Sequence, residues 1–581
     1  MKNYISNLRI PFRKGRESEA DDPRKYNLEL HLPRLGAKPK AFDTHSKKIE
    51  SHLASYANES THQLIEALKY IEQLNKIHLK LSQRTELTQS LLKISARSLA
   101  DTYRKYVSKG NSFPETTERK TALTTCIYLL QNLIISYKVI LSETYTLPLK
   151  KFSFQQDSLA MLAVRIIELN MWLQRFLAIR FQKLSTIEWR DCNRIFTLYA
   201  SLFDAGKVLP LTDNLELYKA SGILSEKNSK NSVNSLYLMI QIFGQLDISS
   251  WPSNAQQIIE QYLEKHADLM QIKFAVSPQA GDDFILTYAD RSGPPVFNDE
   301  KTDASVRCYI DISGIKQQVK DDIKEIQRKQ FIGIEEKKRI QPNGTVKDLA
   351  EHAALLALLS KNLTEAKRHE DRKNLYGAKV IQLYTGLAAV YKLLYDIVHE
   401  PKDNREDNVL QNAIAKHSSL LMDGEADVLE CQWRSINESS HGILVRTVET
   451  KYMHALEVGQ LIALRNDDTS AATPLLGFIT RLERLNEGEV DVAIVKLSDE
   501  ADAVIMLEPG QENATQDVLP AILMRKQNGE WQVILPRHVK YVTGTPAIIK
   551  KQNEHIPVRL GDTVTTRNGF VLFEVRSPSL E

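Results

Sequence analysis

"WRSINESSHGILVR", residues 433–446, decides how the C-terminal part of the chain is read. Two runs suited to extended backbone, "ADVLECQWRSI" (426–436) and "HGILVRTV" (441–448), flank its polar centre. There Asn437, Ser439 and Gly442 form N-x-S-x-x-G. An Asn and a Ser two residues apart on extended chain turn their polar groups to the same side. The glycine permits a tight turn and the close approach of a ligand. A hairpin turn by itself also favours Asn, Ser and Gly, so the triplet alone admits a purely structural reading.

Downstream the same texture continues. "QLIALRN", "LLGFITRLERL", "EVDVAIVKL", "AVIMLEP", "AILMRK", "WQVILPR", "AIIKKQ", "TVTTR" and "FVLFEVR" follow one another, with turns such as "NEGE", "QNGE" and "RNGF" between several of them. Many short strands at near-regular spacing predict a sandwich or barrel. Upstream, "RHEDR" places Arg368 and Arg372 four apart, ahead of "AKVIQLY" (378–384), which reads as a strand. The bland alternative for "LTEAKRHEDRKNL" is a solvated charged helix with i, i+4 pairs such as Glu365 with His369.

Taken together, this succession resembles the PilZ domain, a six-stranded barrel that in many bacteria binds cyclic di-GMP. The family pattern is R-x-x-x-R before the first strand and D/N-x-S-x-x-G after the second. The resemblance covers about 215 residues at the C-terminus. It implies that "AKVIQLY" is the first strand, "ADVLECQWRSI" the second and "NESSHG" the signature turn. It further implies cyclic di-GMP as ligand, with Arg368, Arg372, Asn437, Ser439 and Gly442 around it. Guanidinium groups suit such a dianion, because they pair with phosphate oxygens, reach the O6/N7 edge of guanine and stack on bases. The chain departs from the family pattern in spacing: 64 residues lie between Arg372 and Asn437. The excess, 385–425, reads as a helix plus a polar loop inserted between the first two strands. The tail beyond the barrel reads as further strands on the same β unit or as a second small barrel.

The rest of the chain is helical in pattern. Leu64, Leu68, Ile71, Leu74, Ile77 and Leu81 recur at three and four residues, and similar stripes run through 119–142, 156–184, 189–205, 232–247 and 254–271. Residues 272–318 alternate instead, predicting a short hairpin or a small α+β insert. A charged helix over 314–341 follows, then a turn or linker and another helix over 347–366. Residues 1–50 read as an irregular, self-neutralising arm. The expected fold is therefore multidomain α+β: a tail over 1–50, a helical domain over 51–271, an insert and linker helix over 272–346, and a PilZ-like β-barrel region with extra strands over 347–581.

Composition narrows the function. A net charge of +3 on 581 residues excludes wholesale nucleic-acid binding. The four cysteines, Cys126, Cys192, Cys308 and Cys431, are too dispersed for metal-ligand spacing and suggest a reducing cytoplasm. The first residues hold no apolar signal region, so a cytoplasmic location is expected. "TALTTCIYLLQNLIISYKVIL" (121–141) is long enough to span a membrane, but Gln131, Asn132 and Lys138 within it favour a buried core helix. No HExxH, GxSxG, phosphate-loop or GxGxxG motif occurs. No metal and no cofactor are expected, and no catalysis. The expected function is a cyclic di-GMP-binding effector that relays the signal to a protein partner. The alternative is a degenerate PilZ-like scaffold that binds no nucleotide and acts only through protein contacts. A third reading, an enzyme site in the 272–318 insert, has only Asp311 and Ser313 of "YIDISGI" to offer, and these read as an ordinary strand end.

Overall fold

The computed structural model describes residues 28–37, 43–107, 115–148, 155–206, 232–251, 253–275, 283–297, 307–336, 355–357, 359–360, 362–363, 373–374, 380–398, 428–448, 456–466, 474–485, 488–510, 519–526, 529–536, 541, 543–551, 554–566 and 569–576. The chain forms two compact units. One comprises residues 1–110, 116–249 and 253–366, the other 111–115, 250–252 and 367–581.

The first unit is built on helices α1 (Ser46–Ala54), α2 (Ser60–Leu74), α3 (Leu81–Val107), α4 (Thr117–Tyr145), α5 (Gln156–Ile179), α6 (Thr186–Leu202), α7 (Val233–Gln245) and α8 (Ser253–Lys265). The apolar stripes of the sequence account for them. α5 is apolar almost all round and is buried from Leu162 to Ile179, so it packs at the centre against α4, α6 and α7. α4 is the one helix among the described residues long and apolar enough to cross a membrane, and it is largely buried in this unit. That matches the core-helix expectation. Local chemistry sets the helix ends. Ser185 and Glu188 make a capping box at the start of α6. The buried Arg84 guanidinium donates to the carbonyls of Leu74 and Ile77, which receive no bond from the helix itself.

Several buried charges in this unit are paired. Lys138 meets Asp191 at 2.7 Å. Arg175 on α5 is shared by Glu260 and Glu264 of α8 and stacks on Trp172. The Tyr103 hydroxyl donates to Glu260 at 3.1 Å. The insert is a four-stranded antiparallel sheet in the order β1 (Gln271–Ala275), β4 (Arg307–Asp311), β2 (Phe284–Thr287), β3 (Val296–Phe297), followed by α9 (Ser313–Glu336). Asp311 closes β4 and accepts from the backbone and hydroxyl of Ser313 and from Lys273. It serves as the strand end expected from the sequence and shows no convergent catalytic partner among the described residues. No group of three or more potential metal ligands occurs among them either.

The second unit holds two six-stranded barrels in series. In the first, β6 (Val380–Thr385), β7 (Val428–Glu438), β8 (Gly442–Val448), β11 (Glu489–Ser498), β10 (Leu475–Arg484) and β9 (Leu461–Asn466) pair in that order, and β9 returns to β6. Every pairing is antiparallel. A two-residue strand, β5 (Lys373–Asn374), adds to β7. In the second, β12 (Glu500–Leu507), β13 (Leu519–Arg525), β14 (Trp531–Pro536), β17 (Phe570–Arg576), β16 (Glu554–Thr566) and β15 (Pro546–Lys551) close a ring. Numbered within each barrel, both have the strand order 1-2-3-6-5-4. The extra strands therefore form a second barrel with the topology of the first.

Strand alternation explains both cores. Val504, Met506, Ala521, Leu523, Val533 and Ile549 fill the second barrel from within. Their neighbours Ile522, Met524, Ile534 and Leu572 point the other way into a separate core. Helix α10 (Leu387–Val398), the helical part of the expected insertion, supplies Leu387, Val390, Tyr391 and Leu394 to that same core. Leu461, Ala463, Leu476 and Phe478 of the first barrel complete it. The rest of the insertion, 399–427, lies outside the described residues.

Candidate functional site

The N-x-S-x-x-G segment forms the hairpin between β7 and β8, strands two and three of the first barrel. On β7, Trp433 and Ser435 are buried and Arg434 is exposed, the period-two pattern of a barrel wall. The pairing then slips. Ser435 faces Val445 but Asn437 faces Leu444, so Ile436 is the extra residue of a bulge. A bulge re-aims the residues that follow it, and here it falls immediately before Asn437.

The turn is held from several sides. The Ser439 amide donates to the Gly442 carbonyl at 2.8 Å, and the Ser439 hydroxyl leans on the same oxygen at 3.4 Å. The Lys496 amide donates to the His441 carbonyl, which ties the turn to β11. The Lys496 ammonium meets Glu438 at 2.5 Å. Asn437, Ser439 and Gly442 all remain partly exposed. Gly442 has a reason of its own to be glycine: a Cβ there would sit 3.1 Å from the Ile494 carbonyl oxygen. The close approach lies between adjacent strands.

Arg368 and Arg372 lie outside the described residues. Their chain continues into β5, where Lys373 pairs with Glu438 and Asn374 with Asn437. Asn437 thus has Leu444 on one side and Asn374 on the other. β6 runs along that same side of β7, with Val380 opposite Arg434. The insertion does not keep residues 373–374 from the hairpin end of β7, because α10 leaves the barrel wall and packs into the core shared with the second barrel.

One feature near the hairpin escapes a motif search. Arg434, Arg446 and Asp491 form a row across β7, β8 and β11 in direct register. Arg446 binds Asp491 through Nε at 2.6 Å and Nη2 at 2.9 Å. This bidentate bond holds the Arg446 guanidinium above its usual pKa. Among the described residues Arg434 has no ion-pair partner. A single arginine in each of "QWRS" and "LVRTV" is the sequence signal, but only the register brings the two together.

Residues 52–279 match a protein family described as "Cyclic-di-GMP receptor FimW, N-terminal domain". The match falls within the helical unit and the start of its small sheet. No curated protein and no solved structure matches the chain. The family is thus a cyclic di-GMP receptor family, and its similarity to this chain lies upstream of the barrels.

Proposed function

We propose that this protein is a cyclic di-GMP receptor that passes nucleotide binding on to a protein partner. The nucleotide rests on the first barrel, a PilZ domain, against Asn437, Ser439 and Gly442, with Arg368 and Arg372 closing over it. One observation carries this reading: the residues next to Arg372 pair with the Asn437–Glu438 end of β7. Register brings residues 373–374, the continuation of the arginine-bearing segment in the sequence, to the hairpin that the sequence pattern singles out. The family match over 52–279 supports the same ligand from an independent part of the chain.

The chemistry is adequate in scale. Each charge-assisted hydrogen bond contributes about 1.5–3 kcal/mol, and micromolar affinity requires roughly 8 kcal/mol. A few guanidinium–phosphate contacts plus an amide and a hydroxyl on one guanine suffice. No bond is made or broken in the ligand. The protein works by differential affinity between two arrangements of the chain, cytoplasmic and non-catalytic.

Isothermal titration calorimetry of the full chain with cyclic di-GMP tests the proposal. Saturable heat with micromolar or tighter affinity is expected. Folded protein that gives neither heat nor a thermal shift overturns it.

A further inference from the structure

The two barrels share one strand order, so each strand of the first has a counterpart in the second. The hairpin face of the first barrel lies on strands two, three and six, which are β7, β8 and β11. Across it runs the charged row Arg434–Arg446–Asp491. The counterparts are β13, β14 and β17, and across them runs Ile522–Ile534–Leu572, again in direct register. A polar, partly open row in one barrel is an apolar, fully buried row in the other.

Helix α10 covers the second row. Val390, Tyr391 and Leu394 of α10 share a single core with Ile522, Met524, Ile534 and Leu572. That core is distinct from the lumen of the second barrel, which Val504, Leu523, Val533 and Phe573 fill. The other requirements of a nucleotide site are also missing. Only Asp499 separates β11 from β12, so no arginine-bearing segment precedes the first strand of the second barrel. Its two-to-three hairpin, "RKQNGEW" (525–531), carries no N-x-S-x-x-G.

We infer that the second barrel is a duplicate of the first whose ligand face has become a cradle for α10, leaving one nucleotide site per chain. The helix that interrupts the first barrel is the occupant of the second. The stoichiometry in this inference rests on the function proposed above; the cradle does not.

Two measurements test it. In the first, Arg434→Cys, Met524→Cys and Ile534→Cys variants of the full chain are labelled with a maleimide and the sites read by peptide mass spectrometry. Position 434 should react as an exposed thiol. Positions 524 and 534 should react at least about a hundredfold more slowly until the chain is unfolded in urea. Adding Val390→Ala and Leu394→Ala should speed labelling at 524, because the second barrel keeps its own lumen core. Labelling at 524 or 534 as fast as at 434, in a chain folded by circular dichroism, overturns the cradle. In the second, calorimetry with cyclic di-GMP compares the natural chain with the Asn437→Ala, Ser439→Ala double variant. Loss of all heat supports a single site, and residual saturable binding overturns it. A natural chain that gives no heat overturns the proposed receptor function, and labelling alone then decides the cradle.

Discussion

Asn374 and Asn437 are direct partners across the antiparallel pairing of β5 with β7. An insertion with its own helix lies between them in the chain, yet the backbone brings them side by side. A loop that long adds little to the cost of closure, which grows only with the logarithm of length. Moreover, one apolar face of α10 is buried. The distance along the chain between the arginine pair and the hairpin is therefore no obstacle to a joint site.

Side-chain truncation at the hairpin should weaken cyclic di-GMP binding without unfolding the barrel. Asn437→Ala and Ser439→Ala are each expected to raise Kd about tenfold or more, about 1.4 kcal/mol. Arg368→Ala and Arg372→Ala should cost at least as much, since each removes a charge-assisted contact. Arg328→Ala is the control, because Arg328 is an exposed residue of α9 paired with Glu325. Calorimetry on the five variants separates these outcomes.

Gly442→Ala should destabilise the β unit as well as perturb any ligand. The new Cβ would meet the Ile494 carbonyl at 3.1 Å, and both strands are pinned by the ladder. A loss on the order of 1–2 kcal/mol is expected, by analogy with overpacking. It would be read as a lower urea midpoint with an unchanged slope.

Lys138→Met should cost about 3–5 kcal/mol, because it strands a buried carboxylate. Lys138 and Asp191 are both almost fully buried and 2.7 Å apart. The carboxylate would keep the His31 amide at 3.2 Å and, at 4.0 Å, the Arg190 Nε, too far for a hydrogen bond. Urea unfolding followed by tryptophan fluorescence would report the loss.

Stability of the helical unit should fall as pH rises from about 4.5 to about 7. Burial pushes the Glu264 carboxyl up to about 7 from its ordinary 4.5, against the pull of Arg175 and with a further push from Glu260. Between those two pH values the folded chain holds a proton that the unfolded chain has released. The group's contribution is thus most favourable at and below its ordinary value and is lost progressively up to about pH 7. The change is on the order of 3 kcal/mol. Glu264→Gln should flatten the profile between about pH 4.5 and 7, whereas an unchanged slope would show that the proton sits elsewhere.

The helical unit was readable because its signal is local. Stripes such as Leu64–Leu68–Ile71–Leu74 lie within one helix, and burial follows from the period alone. The hairpin at 437–442 was readable for the same reason: turn residues and flanking alternation occupy one short stretch. The row Arg434–Arg446–Asp491 was not, because its members meet only through cross-strand register. Nor was the role of Gly442 against Ile494, a contact between strands far apart in the chain.

By itself, then, the sequence determined which segments are helices and strands, a C-terminal region of short strands suited to a sandwich or barrel, and the residues of the candidate hairpin. These follow from backbone periodicity and turn chemistry, which act over a few residues. The tertiary structure alone decided that the tail closes a second barrel of the same strand order. It alone decided that α10 is buried against that barrel, and that the chain following Arg372 lies beside Asn437. Those outcomes depend on which distant apolar faces cover one another and on register set by long-range pairing, and no short stretch of sequence encodes either.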